Sequence, residues 1–282
     1  MTNRLATLTY ILAVTVLSGC SGKGSGDPDS GTDAPVDVTD DGADVQEEAE
    51  LPVVEVQSPL PPDPVEFTPC PEGWREVEDA EGGYTVCDPW PEGGPQACGV
   101  DEAHLPGTEG CSRVGPACPA GNWADDLPTT SAVVYVLDGA DAGGDGSEGA
   151  PYATIGEAMA AAPEGAVIAL GKGTYEEAVT LAGDITIWGA CVAGTLITYS
   201  DGRVDAGIVG ATSGGTMRNV RIGGDRPGFF AVGAAVDVTF ENVIVDGAQS
   251  AGVAVAMGAS MSASHLVVRN TRSRPDTGMG GF

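Results

Sequence analysis

Residues 137–149, L-D-G-A-D-A-G-G-D-G-S-E-G, place four carboxylates in one Gly-rich loop: Asp138, Asp141, Asp145 and Glu148. Oxygen donors in that number are calcium chemistry. Their spacing does not match the twelve-residue calcium loop, and a plain polar loop is the better reading. A second constellation is a column. Asn219, Asn242 and His265 recur every 23 residues, each just before an apolar residue: Val220, Val243 and Leu266. A histidine there could act as a general base. As the third member of an Asn series it reads better as the top of a structural ladder, so no catalytic residue is assigned. The third set is cysteine: Cys70, Cys87, Cys98, Cys111, Cys118 and Cys191. There is no Cys-x-x-Cys, and His104 is the only nearby histidine, so zinc is not indicated. Six cysteines in an exported chain read as disulfides with fifteen possible connectivities, and spacing does not choose among them. A Cys118–Cys191 bridge would tie a Cys-rich segment to the C-terminal half of the chain. No cofactor is expected, calcium being the one weak candidate.

These residues need elements to hold them, and the repeat supplies them. G-G-T-M-R-N-V-R-I-G-G (214–224), D-V-T-F-E-N-V-I-V-D-G (237–247) and S-M-S-A-S-H-L-V-V-R-N (260–270) align at a shift of 23. Val209, Val232 and Val255 form another column at the same shift. About three short strands per unit of that length predict a β-solenoid, whose coils bury their apolar faces only by stacking. A leucine-rich repeat would need several Leu at set positions, and they are missing. The same shift stacks Arg218 on Glu241 and Asp246 on Arg269. If Phe230, Val232, Val253 and Val255 point inward, the outward residues are Phe229, Ala231, Gly233, Gly252, Ala254 and Ala256. That face carries no carboxylate, Lys or His, and a slip of one residue would expose valines, still without acids.

Upstream, Thr154-Ile155-Gly156-Glu157 is a capping box. Ile155, Ala158, Met159 and Ala162 then share one helical face, and Pro163-Glu164-Gly165 ends the helix. A-V-I-A-L comes next as a buried strand and G-K-G-T-Y as a tight corner. Pro151, Tyr152, Thr154, Ile155, Ala158, Gly165, Ile168, Leu170, Gly173 and Tyr175 occupy the places of a pattern that resembles the entry to the pectate-lyase-like superfamily. It resembles especially bacterial surface lipoproteins carrying such a helix without known catalysis. The resemblance implies an all-β fold, a right-handed parallel β-helix of ~23-residue coils with an N-terminal capping helix. In catalytic relatives it would imply carboxylates holding calcium beside Arg or Lys on one outer sheet face, or clustered Asp residues for hydrolysis. A Cys-rich segment before such a helix resembles an arrangement recurring in predatory and related Gram-negative bacteria.

The N-terminus M-T-N-R-L-A-T-L-T-Y-I-L-A-V-T-V-L-S-G-C has Arg4, an apolar run from Leu5 to Val16, and Leu17-Ser18-Gly19-Cys20. It resembles the lipobox of bacterial lipoproteins, which makes Cys20 the lipidation site and the membrane a partner through a lipid anchor. Ser21 after the Cys implies the outer membrane, on its periplasmic face or at the cell surface. The expected organisation is a signal peptide over 1–19, a disordered acidic tether over 20–68, a Cys-rich module over 69–128 and the β-helix over 129–282. The tether lacks apolar periodicity and is rich in Asp, Glu and Pro. Trp74, Tyr84, Trp90 and Trp123 in the module form a small core, with exposed sugar-stacking rings as the alternative. The formal net charge is −29 with 12 Lys and Arg, which excludes nucleic acid as a partner. One further period past Val255 falls near residue 278, so a fragment of a longer protein is expected. The function expected is a non-enzymatic surface scaffold for adhesion or glycan binding. The alternatives are a lyase or glycoside hydrolase for acidic polysaccharide with its site mostly beyond residue 282, and a purely structural envelope protein.

Overall fold

The structure is a computed structural model and describes residues 68–78, 82–201, 206–274, 278, 280 and 281. Cys20, the signal segment and the tether lie outside them. No helix among the described residues is long and apolar enough to cross a membrane.

The first strands among the described residues are four short ones: β1 (Arg75–Glu78), β2 (Thr85–Asp88), β3 (Glu102–His104) and β4 (Cys111–Arg113). They form two antiparallel hairpins, β1–β2 and β3–β4. Disulfides Cys70–Cys87 and Cys98–Cys111 staple one hairpin each. Little of this segment is apolar, so cross-links and short polar ties hold it. His104 shows how. Its Nδ1 accepts from the Gln96 amide at 2.9 Å and its Nε2 donates to Thr108 O at 2.8 Å. Both ring nitrogens are occupied by backbone, which leaves none for a metal. Trp90 packs edge-on against this ring at 5.2 Å and Trp123 against Tyr135 at 5.0 Å, while Trp74 lies under Gly107. The three indoles pack internally; Tyr84 is exposed.

The rest is a parallel β-solenoid. Its strands are β5 (Val133–Val136), then α1 (Ile155–Ala161), β6 (Val167–Leu170), β7 (Gly173–Glu176), β8 (Val179–Leu181), β9 (Thr186–Gly189), β10 (Thr195–Tyr199), β11 (Val209–Ala211), β12 (Gly214–Gly224), β13 (Phe229–Val232), β14 (Asp237–Asp246), β15 (Val253–Ala256) and β16 (Ser260–Arg269). The first sheet runs β5-β6-β9 and continues through the first halves of β12, β14 and β16. The second runs β7-β10 and continues through their second halves, and the third is β8-β11-β13-β15. Coils one to four, numbered from β6 onward, contribute one strand to each sheet, and coil five, β16, extends the first two sheets only. The inward residues Ile168, Ile187, Met217 and Phe240 are fully buried and stack up the first sheet, as Tyr175, Ile197, Ile222 and Val245 do up the second.

Helix α1 lies against β5 and β6 at the first coil. Thr154 Oγ1 accepts from Glu157 N at 3.1 Å, and Glu157 returns a bond from Thr154 N at 3.2 Å, closing the capping box. Ile155 and Ala158 are fully buried, with Met159 and Ala162 packed beside them. The outer edge of β5 is paired in part by a parallel bridge from Val136 to Tyr152.

The third sheet departs from the simple 23-residue shift. Phe229 pairs with Val209 and Val253, and Ala231 with Ala211 and Val255. In the third coil Phe229 and Ala231 therefore face inward, and Phe230 and Val232 face outward, the reverse of the sequence expectation. Val253 and Val255 do face the core. The corner before β13 is one residue shorter than its counterpart in the next coil, and the corner after it one residue longer. The coil length is unchanged while one strand slips. The slip places Phe229 edge-on against Phe240, at 4.7 Å between ring centroids, with both rings fully buried.

Asn219, Asn242 and His265 form the one-residue corner between the first and second sheets, at φ of +54°, +54° and +53°. Asn tolerates this left-handed conformation because its short polar side chain bonds locally. The Asn242 Nδ2 donates to Asn219 Oδ1 at 3.0 Å. In coil two the same corner widens to residues 190–194 and carries Cys191.

Candidate functional site

The Cys-rich segment lies along this corner, and successive coils each hold it. In coil one, Lys172 Nζ donates to Pro119 O at 2.5 Å. In coil two, Cys191 is bonded to Cys118. At coils three and four, Gly115 sits over the Asn ladder. A Cβ there would come within 2.9 Å of the Asn242 Cβ, and its φ is +82°. At coil five, Arg269 reaches into the β3 hairpin. Between them Ala103 and Val114 bury Val192 and Ile244, with Val267 alongside. The outer face of the second sheet is thus covered over part of its length. Gly115→Ala is expected to cost about 1–3 kcal/mol, from strain and the clash together. A thermal melt of the variant checks it; an unchanged midpoint would refute close packing at this point.

Arg269 is the centre of the fifth-coil contact. Its Nε donates to Asp246 Oδ2 at 3.0 Å, and its Nη2 lies 3.0 Å from the same oxygen. Nη1 donates to Gly99 O at 3.1 Å and Glu102 O at 2.9 Å, and Nη2 to Val100 O at 3.2 Å. Asn270 Nδ2 donates to Asp246 Oδ1 at 2.8 Å. Beside these groups lies a cleft of about 490 Å³ between module and solenoid. Its module wall includes Gln96, Val100 and Ala103, and its solenoid wall Val267, Arg269 and Asn270. A cavity of this size with an apolar floor and a few convergent polar groups is the usual form of a small-ligand site. Sequence reasoning paired Asp246 with Arg269 but missed the cleft. Arg269 lies 167 residues from Glu102 on the opposite wall, and no local pattern brings them together.

The calcium candidates are not gathered into one site. Asp138 Oδ2 accepts from Thr174 N at 3.1 Å and Asp145 Oδ1 from Ser147 N at 2.9 Å. Those bonds from Ser147 hold the Asp145 carboxyl below the usual carboxylate range. Asp141 and Glu148 do not join them. Among the described residues no three His, Cys, Asp or Glu side chains are placed to hold a metal ion. A second hollow, of about 420 Å³, lies beside α1 and includes Asp138, Thr174, Glu176 and Glu177. Glu177 accepts from the Ile155 and Gly156 amides at 2.7 and 2.9 Å, so this carboxylate caps the helix. The nearby Tyr175 hydroxyl is buried and donates to Gly171 O at 2.9 Å and Val136 O at 3.1 Å. Burial drives its pKa well above the ordinary value, and the nearby Asp138 and Glu177 carboxylates push it the same way. The unfolded chain therefore loses this proton near pH 10 while the folded chain keeps it. Stability is complete below about pH 10 and falls above it by ~1.4 kcal/mol per pH unit from this group. Tyr175→Phe should flatten that alkaline slope in denaturation curves between about pH 9.5 and 11. An identical slope in the variant would rule Tyr175 out as its source.

The outer faces of the first and third sheets differ in kind. On the first, Arg218 lies over the Trp188 ring at 3.8 Å and pairs with Glu241 at 3.1 Å, beside the outward Thr186, Thr216 and Thr239. On the third, Phe230 is flanked up and down its ladder by Gly210 and Ala254, with Val232 and Ala256 nearby. Small neighbours leave the Phe230 ring half-buried on a shallow apolar platform. His265 is exposed at the fifth-coil corner.

No family model matches the chain, and no curated protein matches it. Among solved structures it is similar to pectin methylesterase PemA from Erwinia chrysanthemi, at 18% identity and a TM-score of 0.38. The match covers 52% of this chain and 50% of that one, so the chain spans half of that protein's length.

Proposed function

We propose that this chain is a lipid-anchored surface protein whose β-solenoid displays a non-catalytic glycan-binding site, with Cys20 as the anchor and residues 20–68 as the spacer. The observation that supports it most is the cleft between the Cys-rich module and the fifth coil. Module and corner are joined at four levels, which makes both walls rigid and keeps the polar groups pre-positioned for a ligand. Three of the four carboxylates lining the two hollows are engaged structurally, and the fourth, Glu176, is exposed. Asp246 is held by Arg269 and Asn270, Glu177 by the α1 amides and Asp138 by Thr174 N. That arrangement favours binding over hydrolysis of a glycosidic bond, which needs a free carboxylate pair.

A glycan array probed with the exported chain tests the reading. Binding to at least one glycan class is expected, with loss of most signal in Gln96→Trp, whose indole would fill the cleft from an exposed position. Incubation with acidic polysaccharide, with and without calcium, is expected to release no product. Turnover there would replace this reading with a lyase or hydrolase, and an array without binding would leave only a structural role.

A further inference from the structure

We infer that the cleft beside Arg269 takes an uncharged sugar residue and rejects uronic acids. This deepens the proposed glycan-binding role and rests on it. Among the described residues, Arg269 is the only Lys or Arg lining the cleft. A guanidinium has five N–H donors, and four of them are used here, one each on Asp246 Oδ2, Gly99 O, Glu102 O and Val100 O, while Nη2 also lies 3.0 Å from Asp246 Oδ2. That leaves no pair of N–H groups to fork onto a ligand carboxylate, the geometry by which arginine recognises such groups. The positive charge is also balanced by Asp246 in contact. An incoming carboxylate would meet Asp246 without a compensating donor, on a chain whose formal net charge is −29.

What the cleft still offers is amide chemistry. Asn270 uses one N–H on Asp246 Oδ1 and Gln96 uses one on Glu109 O. Each amide retains an N–H and a carbonyl oxygen, a donor and an acceptor side by side. Two such pairs suit adjacent hydroxyl groups, which also donate and accept. Val267, Val100 and Ala103 supply an apolar floor for the C–H face of a sugar ring. Amides above an apolar floor, with the charges internally paired, describe a site for a neutral polyol.

The test uses the full exported chain and calorimetric titration with neutral oligomers of glucose, xylose and N-acetylglucosamine, and with trigalacturonate, at low and high salt. Binding of at least one neutral oligomer is expected. It should weaken about tenfold in Asn270→Ala and in Gln96→Ala, the loss of one or two hydrogen bonds in each. Trigalacturonate should not bind at either salt. Trigalacturonate binding that is lost in Asn270→Ala would overturn the inference while leaving glycan binding in place. Neutral binding indifferent to both substitutions would overturn the cleft as its location. Absence of binding by any of these probes would overturn the inference, and a blank on the wider array as well would overturn the glycan-binding role with it.

Discussion

Replacing Cys118 by Ser together with Cys191 by Ala lowers the stability of the folded chain by about 4 kcal/mol. The bond spans 73 residues, against 17 for Cys70–Cys87 and 13 for Cys98–Cys111. Closing a longer loop removes more conformational freedom from the unfolded chain, so this bridge contributes more than either hairpin staple, by roughly 1 kcal/mol. It also joins two parts of the structure whose buried apolar contact is limited to two small clusters: Ala103 and Val114 against Val192 and Ile244, and Ala124 and Leu127 against Val167 and Trp188. Cys191 is fully buried, so Ala is the replacement that adds no polar group there. Urea unfolding of the double variant, beside the Cys98→Ser/Cys111→Ser pair, measures the difference. Equal losses in the two variants would mean that the 118–191 bond does not constrain the module against the solenoid.

Arg269→Met is the second large effect, about 3 kcal/mol. The side chains of Arg269 and Asp246 are each only 22% exposed. Removing the guanidinium leaves a carboxylate and three converging carbonyls without their donor. Met keeps most of the apolar stem, so the loss reports the charge and the hydrogen bonds more than the packing. Arg269→Lys should recover only a small part, because an ammonium cannot reach all of these oxygens at once. The effect is local. Amide hydrogen exchange should rise over residues 95–104 and stay unchanged in coils one and two, where Lys172 and Cys191 still hold the chain. Unchanged exchange over 95–104 would show that Arg269 does not fasten the module.

Local pattern makes much of the fold legible. The apolar run A-V-I-A-L, the Thr154–Glu157 capping box and the 23-residue columns each state a geometry that adjacent residues enforce. The Asn219–Asn242 ladder arises for the same reason: a residue that tolerates positive φ recurs where each coil turns. The third sheet shows where such pattern stops. Phe229 and Phe230 are neighbours of equal hydrophobicity, and either could face inward. Which one does depends on corner lengths and on the place of Phe240 across the core, a contact between sheets that no periodicity encodes. The calcium candidates failed to gather for a related reason. Asp138 and Asp145 are satisfied by backbone amides, one of them on a strand 36 residues away.

From its sequence alone this protein is a β-solenoid with a capped entry helix, a cysteine-rich segment and paired charges stacked along its coils. Those features repeat or are local, and repetition is what a stacked coil needs. The tertiary structure decided three further things: one disulfide pattern out of fifteen, the seating of the cysteine-rich segment along a single corner, and the cleft that this seating creates at Arg269. These depend on groups far apart in the chain meeting at a common surface, 73 residues apart for Cys118 and Cys191 and 170 for Gly99 and Arg269. Only packing of the whole chain, with its donors and acceptors matched in three dimensions, specifies such meetings.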